Sequence, residues 1–245
     1  MQKCGWVVLV LVCLVGWAIE PAMGQLIVNP STRADAGKFE AGGAASFGRT
    51  EYDAGYVERK CLGGYGAYGI TDWIDVYGSL GFTFGAEPEN WSESGRGFIA
   101  AIGTRAKVWQ KDDLSALVYG QVQHLKETYG SAGDGVGGLG VDADLEGKIT
   151  ELILGALLRY DYNDALSFYG GLELIPWSDG TVDGSTDVDI PGLPSLGFSD
   201  SDSIERDSPV TIRGGANYDF GDFWVRAEVA AVSETAITLG GGVNF

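Results

Sequence analysis

Apolar and polar side chains alternate along most of this chain, and this period of two constrains the fold more than any other feature. In residues 73–84 (WIDVYGSLGFTF), the apolar residues from Ile74 to Phe84 share one face and polar residues share the other. Residues 210–218 and 223–232 repeat the pattern. Successive side chains of a β-strand point to opposite faces, whereas a helix repeats every 3.6 residues. The pattern predicts an all-β chain.

The connections between these segments alternate between short and long. In an antiparallel meander, this alternation places all the long connections at one end. It predicts an up-and-down antiparallel barrel of ten strands, or of eight if the first or last hairpin is miscounted. The predicted strands are 39–48, 56–70, 73–84, 97–109, 114–126, 148–160, 165–175, 209–218, 223–233 and 235–245.

The first residues are typical of a secretory leader. Lys3 precedes an apolar stretch at 7–18, and Pro21 is followed by small residues up to Gly24. The apolar stretch is short for a membrane helix. We therefore expect a cleavable signal peptide at 1–24, a periplasmic lead at 25–38 and a barrel domain at 39–245. For residues 25–37 the sequence leaves a short plug open as the alternative to a lead. Of the three cysteines only Cys61 then remains, so no intramolecular disulfide is expected, and we expect its side chain to face outward.

The charge excludes one class of partner, and the connection lengths favour one location. The chain carries 16 Lys and Arg against 34 Asp and Glu, a formal net charge of −18, so electrostatic binding of nucleic acid is not expected. Bacterial outer-membrane barrels have even strand numbers, short periplasmic turns and long outer loops, and a tilted strand crosses the membrane in about 9 to 11 residues. We expect a transmembrane outer-membrane barrel with periplasmic termini and extracellular acidic loops.

The last strand carries a resemblance to a known family. In residues 237–245 (ITLGGGVNF), apolar residues alternate up to a terminal aromatic. Together with the leader and the meander, this strand resembles the small outer-membrane barrels of the OmpA-like and opacity-protein-like type. The resemblance implies that Ile237, Leu239, Val243 and Phe245 form a recognition signal for the barrel-assembly machinery during insertion. It implies a membrane and an assembly route, but no activity.

The polar faces of the strands predict what fills the lumen. Six acids and six bases fall on those faces, so the interior is expected to be balanced although the chain is not. Small barrels are filled by their own side chains, and buried charges need partners. We therefore expect a mostly occluded lumen; the alternative is a narrow porin-like channel with the same residues as its lining. The predicted lumen charge network is Glu40, Glu58, Lys60, Asp75, Arg105, Lys107, Glu151, Arg159, Glu173, Arg213, Arg226 and Glu228.

Most of the excess negative charge falls on the predicted loop at 176–207. Its acids, from Asp179 to Asp207, are accompanied by one base, Arg206. Carboxylates among glycines suggest calcium, but the spacing is not that of an EF-hand loop. We expect solvated, mobile loops, with no resident metal and no cofactor.

Two other function classes, an outer-membrane hydrolase and a soluble lipocalin-like barrel, predict different patterns of residues. An outer-membrane hydrolase would use a histidine with an acid and a nucleophile. The alternation of faces along the predicted strand 114–126 places the single histidine, His124, on the outer, lipid-facing side. A soluble lipocalin-like barrel would have a polar exterior, whereas here charges fall on the predicted inner face, except at Arg59 and Lys126. The interpretation is a non-enzymatic, monomeric surface barrel in contact with outer-membrane lipid and lipopolysaccharide.

Overall fold

The computed structural model describes residues 28–32, 34–53, 55–89, 94–133, 140–189 and 196–245. The expected signal peptide at 1–24 lies outside these residues. The described residues form an all-β structure, and they contain no helix that is long and apolar enough to cross a membrane. The strands are β1 (Phe39–Tyr52), β2 (Gly55–Gly69), β3 (Ile74–Pro88), β4 (Gly95–Lys111), β5 (Leu114–Gly133), β6 (Gly140–Asp161), β7 (Leu166–Asp189), β8 (Leu196–Ile204), β9 (Val210–Asp219), β10 (Phe223–Val232) and β11 (Glu234–Asn244).

Ten of these strands close into an antiparallel barrel. Each strand from β1 to β7 pairs with the next, β7 pairs with β9, and β9, β10 and β11 follow in order. The last strand returns to the first, with Glu40 opposite Asn244 and Thr50 opposite Glu234. Closure leaves no unpaired barrel edge, because every strand has two neighbours. The predicted fold class and the strand number of ten are confirmed.

The strand β8 is a feature that the sequence did not predict. It pairs with the upper part of β7, over Gly180–Val188, whereas β9 pairs with the lower part, over Leu166–Leu174. The strands β5 to β8 thus rise beyond β9, β10 and β11 as a four-stranded extension, formed by residues 125–133, 140–149, 180–189 and 196–204. The sequence predicts a loop at 176–207 and another at 127–146, between the predicted strands 114–126 and 148–160. Much of both is strand in the structure. Gly, Ser and Asp have low strand propensity and hid it, but pairing with neighbouring strands overrides propensity.

The two ends of the barrel differ as the connection lengths predicted. We call the end with the turns at 70–73, 112–113, 162–165 and 220–222 the short-turn end, and the opposite end the long-loop end. After β8 the chain crosses toward β1 at the long-loop end. There the backbones of Arg206 and Tyr52 form an isolated antiparallel β-bridge, and the backbone amide of Asp53 donates to the carbonyl of Glu205 at 3.0 Å.

The outer face is apolar across the middle of the barrel. In β3, Leu80 and Phe82 are 69% and 72% exposed. Ser79, which precedes Leu80, and Gly81, which lies between the two, are buried. A water-facing surface of this kind is unstable, whereas lipid solvates it. Aromatic side chains, among them Trp73, Trp109 and Phe223, are exposed toward the short-turn end. The exterior is that of a transmembrane barrel, and the inside-out pattern excludes a lipocalin-like one.

Candidate functional site: the lumen

The first group of buried charges lies near the short-turn end and is centred on Arg105. Asp75 on β3 is the cross-strand partner of Arg105 on β4, so the two side chains point inward side by side. The Arg105 Nη2 lies 2.5 Å from Asp75 Oδ2, and its Nη1 lies 3.4 Å from Glu40 Oε1. The Tyr65 hydroxyl donates to the same Glu40 carboxylate. Each buried charge is thus paired, as burial requires.

The second group is centred on Arg213 of β9, which meets three carboxylates. Its Nε donates to Glu173, its Nη1 donates to Glu228 at 2.9 Å, and its Nη2 donates to Glu234 at 3.0 Å. All four side chains are at most 3% exposed. Two tyrosine hydroxyls complete the group, because Tyr119 donates to Glu173 and Tyr169 donates to Glu228. Arg213 therefore holds carboxylates from three other strands against its own.

The remaining charges lie toward the long-loop end. Arg59 makes a bidentate contact with Glu127 at 2.9 and 3.0 Å, and its Nη1 also donates to the hydroxyls of Thr50 and Tyr52. Arg206 reaches inward from the crossing segment, where it binds Glu151 at 2.5 and 3.0 Å and lies 3.5 Å from Glu234. A guanidinium suits these sites because its planar fork matches a carboxylate.

The N-terminal segment 28–34 lies inside the lumen at the short-turn end. Among its described residues, Asn29 and Ser31 are 0% exposed. The Asn29 amide donates to Asn217 at 2.9 Å, and the backbone amide of Ala34 donates to Asp75 Oδ2 at 2.9 Å. For this segment the sequence predicts a periplasmic lead or a short plug, and its described residues, 28–32 and 34, lie in the lumen as a plug.

Three arginines from three strands hold the plug by its backbone. Arg226 Nη1 donates to the carbonyl of Val28 at 2.7 Å, and Arg159 Nη1 donates to the carbonyl of Ser31 at 2.9 Å. Arg105 Nη1 donates to the carbonyl of Asn29. Backbone carbonyls that are buried away from water need donors, and these guanidinium groups supply them. The plug therefore uses the same arginines that the sequence predicted as lining residues.

The structure places the predicted network residues in three ways. Lys107 and Arg159 are half-buried near the short-turn end, and each bonds a polar neighbour, Gln110 and Asp161 respectively. Glu58 is half-buried and Lys60 is exposed on the outer face. Eight lie buried in the lumen: Glu40, Asp75, Arg105, Glu151, Glu173, Arg213, Arg226 and Glu228.

The expectations for β2 were wrong, because its faces are inverted. Arg59 and Cys61 are 2% and 3% exposed and face the lumen, and Lys60 between them faces out. This strand is rich in glycine, so apolar side chains do not mark a face. Lys60 lies at the upper edge of the apolar band, between Phe47 and Phe84, and its ammonium reaches toward Gly85 at the long-loop end, so its charge does not have to point inward. The thiol of Cys61 packs in the apolar core with Tyr65 and Ile99.

Sequence reasoning missed four members of the network. Arg59 and Glu127 lie at the upper edge of the lipid-facing band, Glu234 follows a tight connection, and Arg206 falls in an acidic segment that is predicted to be a solvated loop. In the described residues the buried charges then number seven carboxylates and five guanidinium groups, not six and six. The carboxylates are Glu40, Asp75, Glu127, Glu151, Glu173, Glu228 and Glu234, and the guanidinium groups are Arg59, Arg105, Arg206, Arg213 and Arg226.

Large rings occupy the lumen wall, each opposite a glycine on a neighbouring strand. In each pair an added Cβ on the glycine would lie closer than 3.0 Å to the ring, so only glycine lets the ring lie against the wall. A further pair, Tyr129 over Gly95, lies toward the long-loop end. The main pairs are Tyr65–Gly42, Tyr77–Gly103, Tyr119–Gly155, Tyr169–Gly215 and Trp224–Gly242.

The last strand presents its predicted assembly residues on one side. Ile237 is half-buried, whereas Leu239, Val243 and Phe245 are exposed. The alternate residues Ala236 and Thr238 are buried and face the lumen. The four residues therefore share the outer face of β11, which is the strand that closes the barrel on β1.

Outside the lumen, the extension carries an exposed ion-pair cluster. Glu146 lies between Lys126, at 2.7 Å, and Lys148, which also approaches Asp183 at 3.5 Å. Hydrogen bonds from Lys126 and Lys148 hold the pKa of Glu146 below its usual range. Within the described ranges, no three or more Asp, Glu, His or Cys side chains are grouped to hold a metal ion.

The single histidine lies on the outer face. His124 is half-buried, its Nδ1 lies 2.9 Å from Thr150 Oγ1, and its ring packs against Phe98. None of the hydrogen bonds described for His124 joins it to a carboxylate, which a catalytic histidine of a hydrolase would need as its orienting group.

Comparisons with known proteins give fold-level likeness alone. No protein-family model and no curated protein matches the sequence. Similar solved structures include the outer membrane protease OmpT from Escherichia coli, at 10% identity over 90% of this chain and 98% of that one, with a TM-score of 0.44. The translocator domain of autotransporter NalP from Neisseria meningitidis matches at 14% identity over 85% and 87%, with a TM-score of 0.45. An outer membrane channel from Pseudomonas putida F1 matches at 14% over 89% and 100%, with a TM-score of 0.38.

Proposed function

We propose that this barrel is a non-enzymatic surface protein of the outer membrane whose lumen is closed at rest. The plug is the observation that carries the proposal. Its carbonyls at Val28, Asn29 and Ser31 take the donors of arginines on three strands, so a water column at that height would have to displace a fixed network. The Arg105 and Arg213 groups fill the lumen next to it and above it.

The proposed orientation puts the short-turn end in the periplasm and the long-loop end outside the cell. This orientation follows the general rule for bacterial outer-membrane barrels. The extension and its acidic loops then project from the surface, next to lipopolysaccharide. The face of β11 with Leu239 and Phe245 is the one offered to the assembly machinery.

A narrow channel is the second candidate, and the way in which the plug is held favours it over catalysis. The plug is bound by side-chain hydrogen bonds, and its described residues, 28–32 and 34, make no strand pairing, so its release does not require the sheet to open. Among the residues that the structure describes, the lumen behind it has two more buried carboxylates than guanidinium groups. A channel opened by release of the plug is therefore expected to prefer cations.

Single-channel recording in a planar bilayer tests the proposal. The mature chain from Gln25 is expected to be silent, and a variant that begins at Asp35 is expected to give small cation-selective openings. A matched variant that keeps the length but replaces residues 28–34 with Gly and Ser distinguishes specific contacts from mere bulk. Heat-modifiable migration on a gel verifies that each variant is folded. Steady openings of the mature chain would contradict the closed lumen and support the channel.

A further inference from the structure

A cavity of about 210 Å³ lies inside the long-loop end, above the charge network. Apolar side chains from five strands form most of its wall: Val57, Leu125, Leu145, Ile149, Val182 and Ile204. A cavity of roughly 150 Å³ with aliphatic walls stays dry and holds one benzene molecule. The volume and lining here therefore suit a single six-membered ring with one or two small substituents.

Glu89, which is exposed, and Lys148, which is half-buried and paired with Glu146 and Asp183, also line the cavity, so its buried polar part is confined to one patch. Arg59 and Glu127 line it, but each already satisfies the other through a bidentate contact, and the Tyr129 hydroxyl donates to Glu127 at 2.8 Å. The patch therefore offers no unpaired charge. An ionic ligand would have to separate a buried ion pair, which is costly.

One hydrogen-bond donor in this patch remains for a ligand. The Tyr52 hydroxyl accepts from Arg59 Nη1 at 3.2 Å, and among the hydrogen bonds of the described residues its own proton has no acceptor. Tyr52 is 7% exposed and lines the cavity. A buried donor without an acceptor gains most from a neutral oxygen placed next to it.

We propose that this cavity binds a small neutral molecule that has an apolar body of about one ring and a single hydroxyl. The ring fills the aliphatic walls, the ligand oxygen accepts from Tyr52, and the ligand proton goes to Glu127, whose carboxylate has room for a fourth bond. The site lies at the opposite end of the lumen from the plug, so the proposal goes beyond the closed-barrel function and does not depend on whether the barrel conducts.

The test uses p-cresol and its isostere p-xylene, which replaces the hydroxyl with a methyl group. The refolded chain in lipid nanodiscs is labelled at Ile, Leu and Val methyl groups and titrated by NMR. We expect saturable shifts at Leu125, Ile149 and Val182, with p-cresol binding about fivefold more tightly than p-xylene. Tyr52→Phe is expected to remove that difference without weakening p-xylene.

A filling variant separates the cavity from the surrounding lipid. Gly147 lines the cavity, and an added Cβ there meets only the Tyr129 ring at 4.0 Å, so Gly147→Leu is expected to fold and to abolish the shifts. Its matched control is Gly66→Leu, at an exposed position with nothing within 4 Å of an added Cβ. Shifts that persist in Gly147→Leu would show partition into lipid and overturn the proposal. Equal binding of the two probes, unchanged in Tyr52→Phe, would overturn it as well.

Discussion

Two sets of ion pairs in this molecule have similar distances and different surroundings. In the Arg213 group the pairs to Glu228 and Glu234 measure 2.9 and 3.0 Å, and the side chains are at most 3% exposed. On the extension the pair between Lys126 and Glu146 measures 2.7 Å, but both side chains are about a third exposed, at 35% and 30%. Water screens the second pair and not the first. Distance alone therefore does not rank these contacts, and variants of each set should separate them.

Arg213→Met is expected to have the largest effect. Among the described ion pairs, it takes from Glu173 its one cation and weakens the pairing of Glu228 and Glu234, which keep Arg226 at 3.7 Å and Arg206 at 3.5 Å. Loss of one partner of a buried pair costs about 3–5 kcal/mol. The free energy of unfolding in urea, measured in detergent micelles, checks the value. The companion variant Arg213→Met with Glu173→Gln, Glu228→Gln and Glu234→Gln is expected to recover much of the loss. If Arg213→Met is no worse than a Lys126 variant, burial is not what distinguishes the two sets.

Arg59→Met is expected to come next, near the lower end of the same range at about 3 kcal/mol, because it strands only Glu127. The double variant Arg59→Met with Glu127→Leu replaces the pair with apolar groups and is expected to be nearly neutral. The same urea titration measures both. A double variant as unstable as the single one would mean that Thr50 and Tyr52 need the guanidinium more than Glu127 does.

Lys126→Met is expected to cost under about 1 kcal/mol, because the pair with Glu146 is exposed and salt screens it. The difference from the parent should shrink further when the urea titration is repeated in 1 M salt. A cost above that of Arg59→Met would reverse the comparison.

The smallest effect is the pH dependence of the same cluster. The pKa of Glu146 is lowered by its two lysines, so its contribution to stability is present above the pKa of the unfolded chain and is lost as the pH falls through the folded value. Because Glu146 is exposed, the change in stability is expected to be small. Carboxyl NMR of the folded chain checks the direction, and Lys126→Met should move the pKa back toward normal.

The sequence predicted the parts of the molecule that lipid constrains. Where the exterior must be apolar, a charge has to point inward. The alternation of faces along each strand is therefore enough to predict that Asp75, Arg105 and Arg213 face the lumen. Beyond the apolar band that constraint ends. Lys60, at the upper edge of that band, can extend its ammonium toward the long-loop end, so the alternation predicts the faces of Arg59 and Lys60 wrongly. The extension is predicted as loop because it is stabilised by pairing between long strands of low propensity.

The contacts that come from distant parts of the chain were not predictable either. Arg206 belongs to the lumen because the segment after β8 crosses to Tyr52, and no local pattern encodes that crossing. Likewise Asn29 and Ser31 have the composition of a polar lead, and only the positions of Arg105, Arg159 and Arg226 in the closed barrel draw them inside.

The ring–glycine pairs bear on how such a barrel changes its size. The barrel has ten pairs of neighbouring strands, and the five main ring–glycine pairs lie in every second one: β1 with β2, β3 with β4, β5 with β6, β7 with β9, and β10 with β11. Each hairpin joined at the long-loop end thus contains its own register mark, since a slipped strand would set a ring against a Cβ. A hairpin with its mark is a self-contained unit, so duplication or loss of one would yield a twelve- or eight-stranded descendant whose remaining hairpins still align correctly.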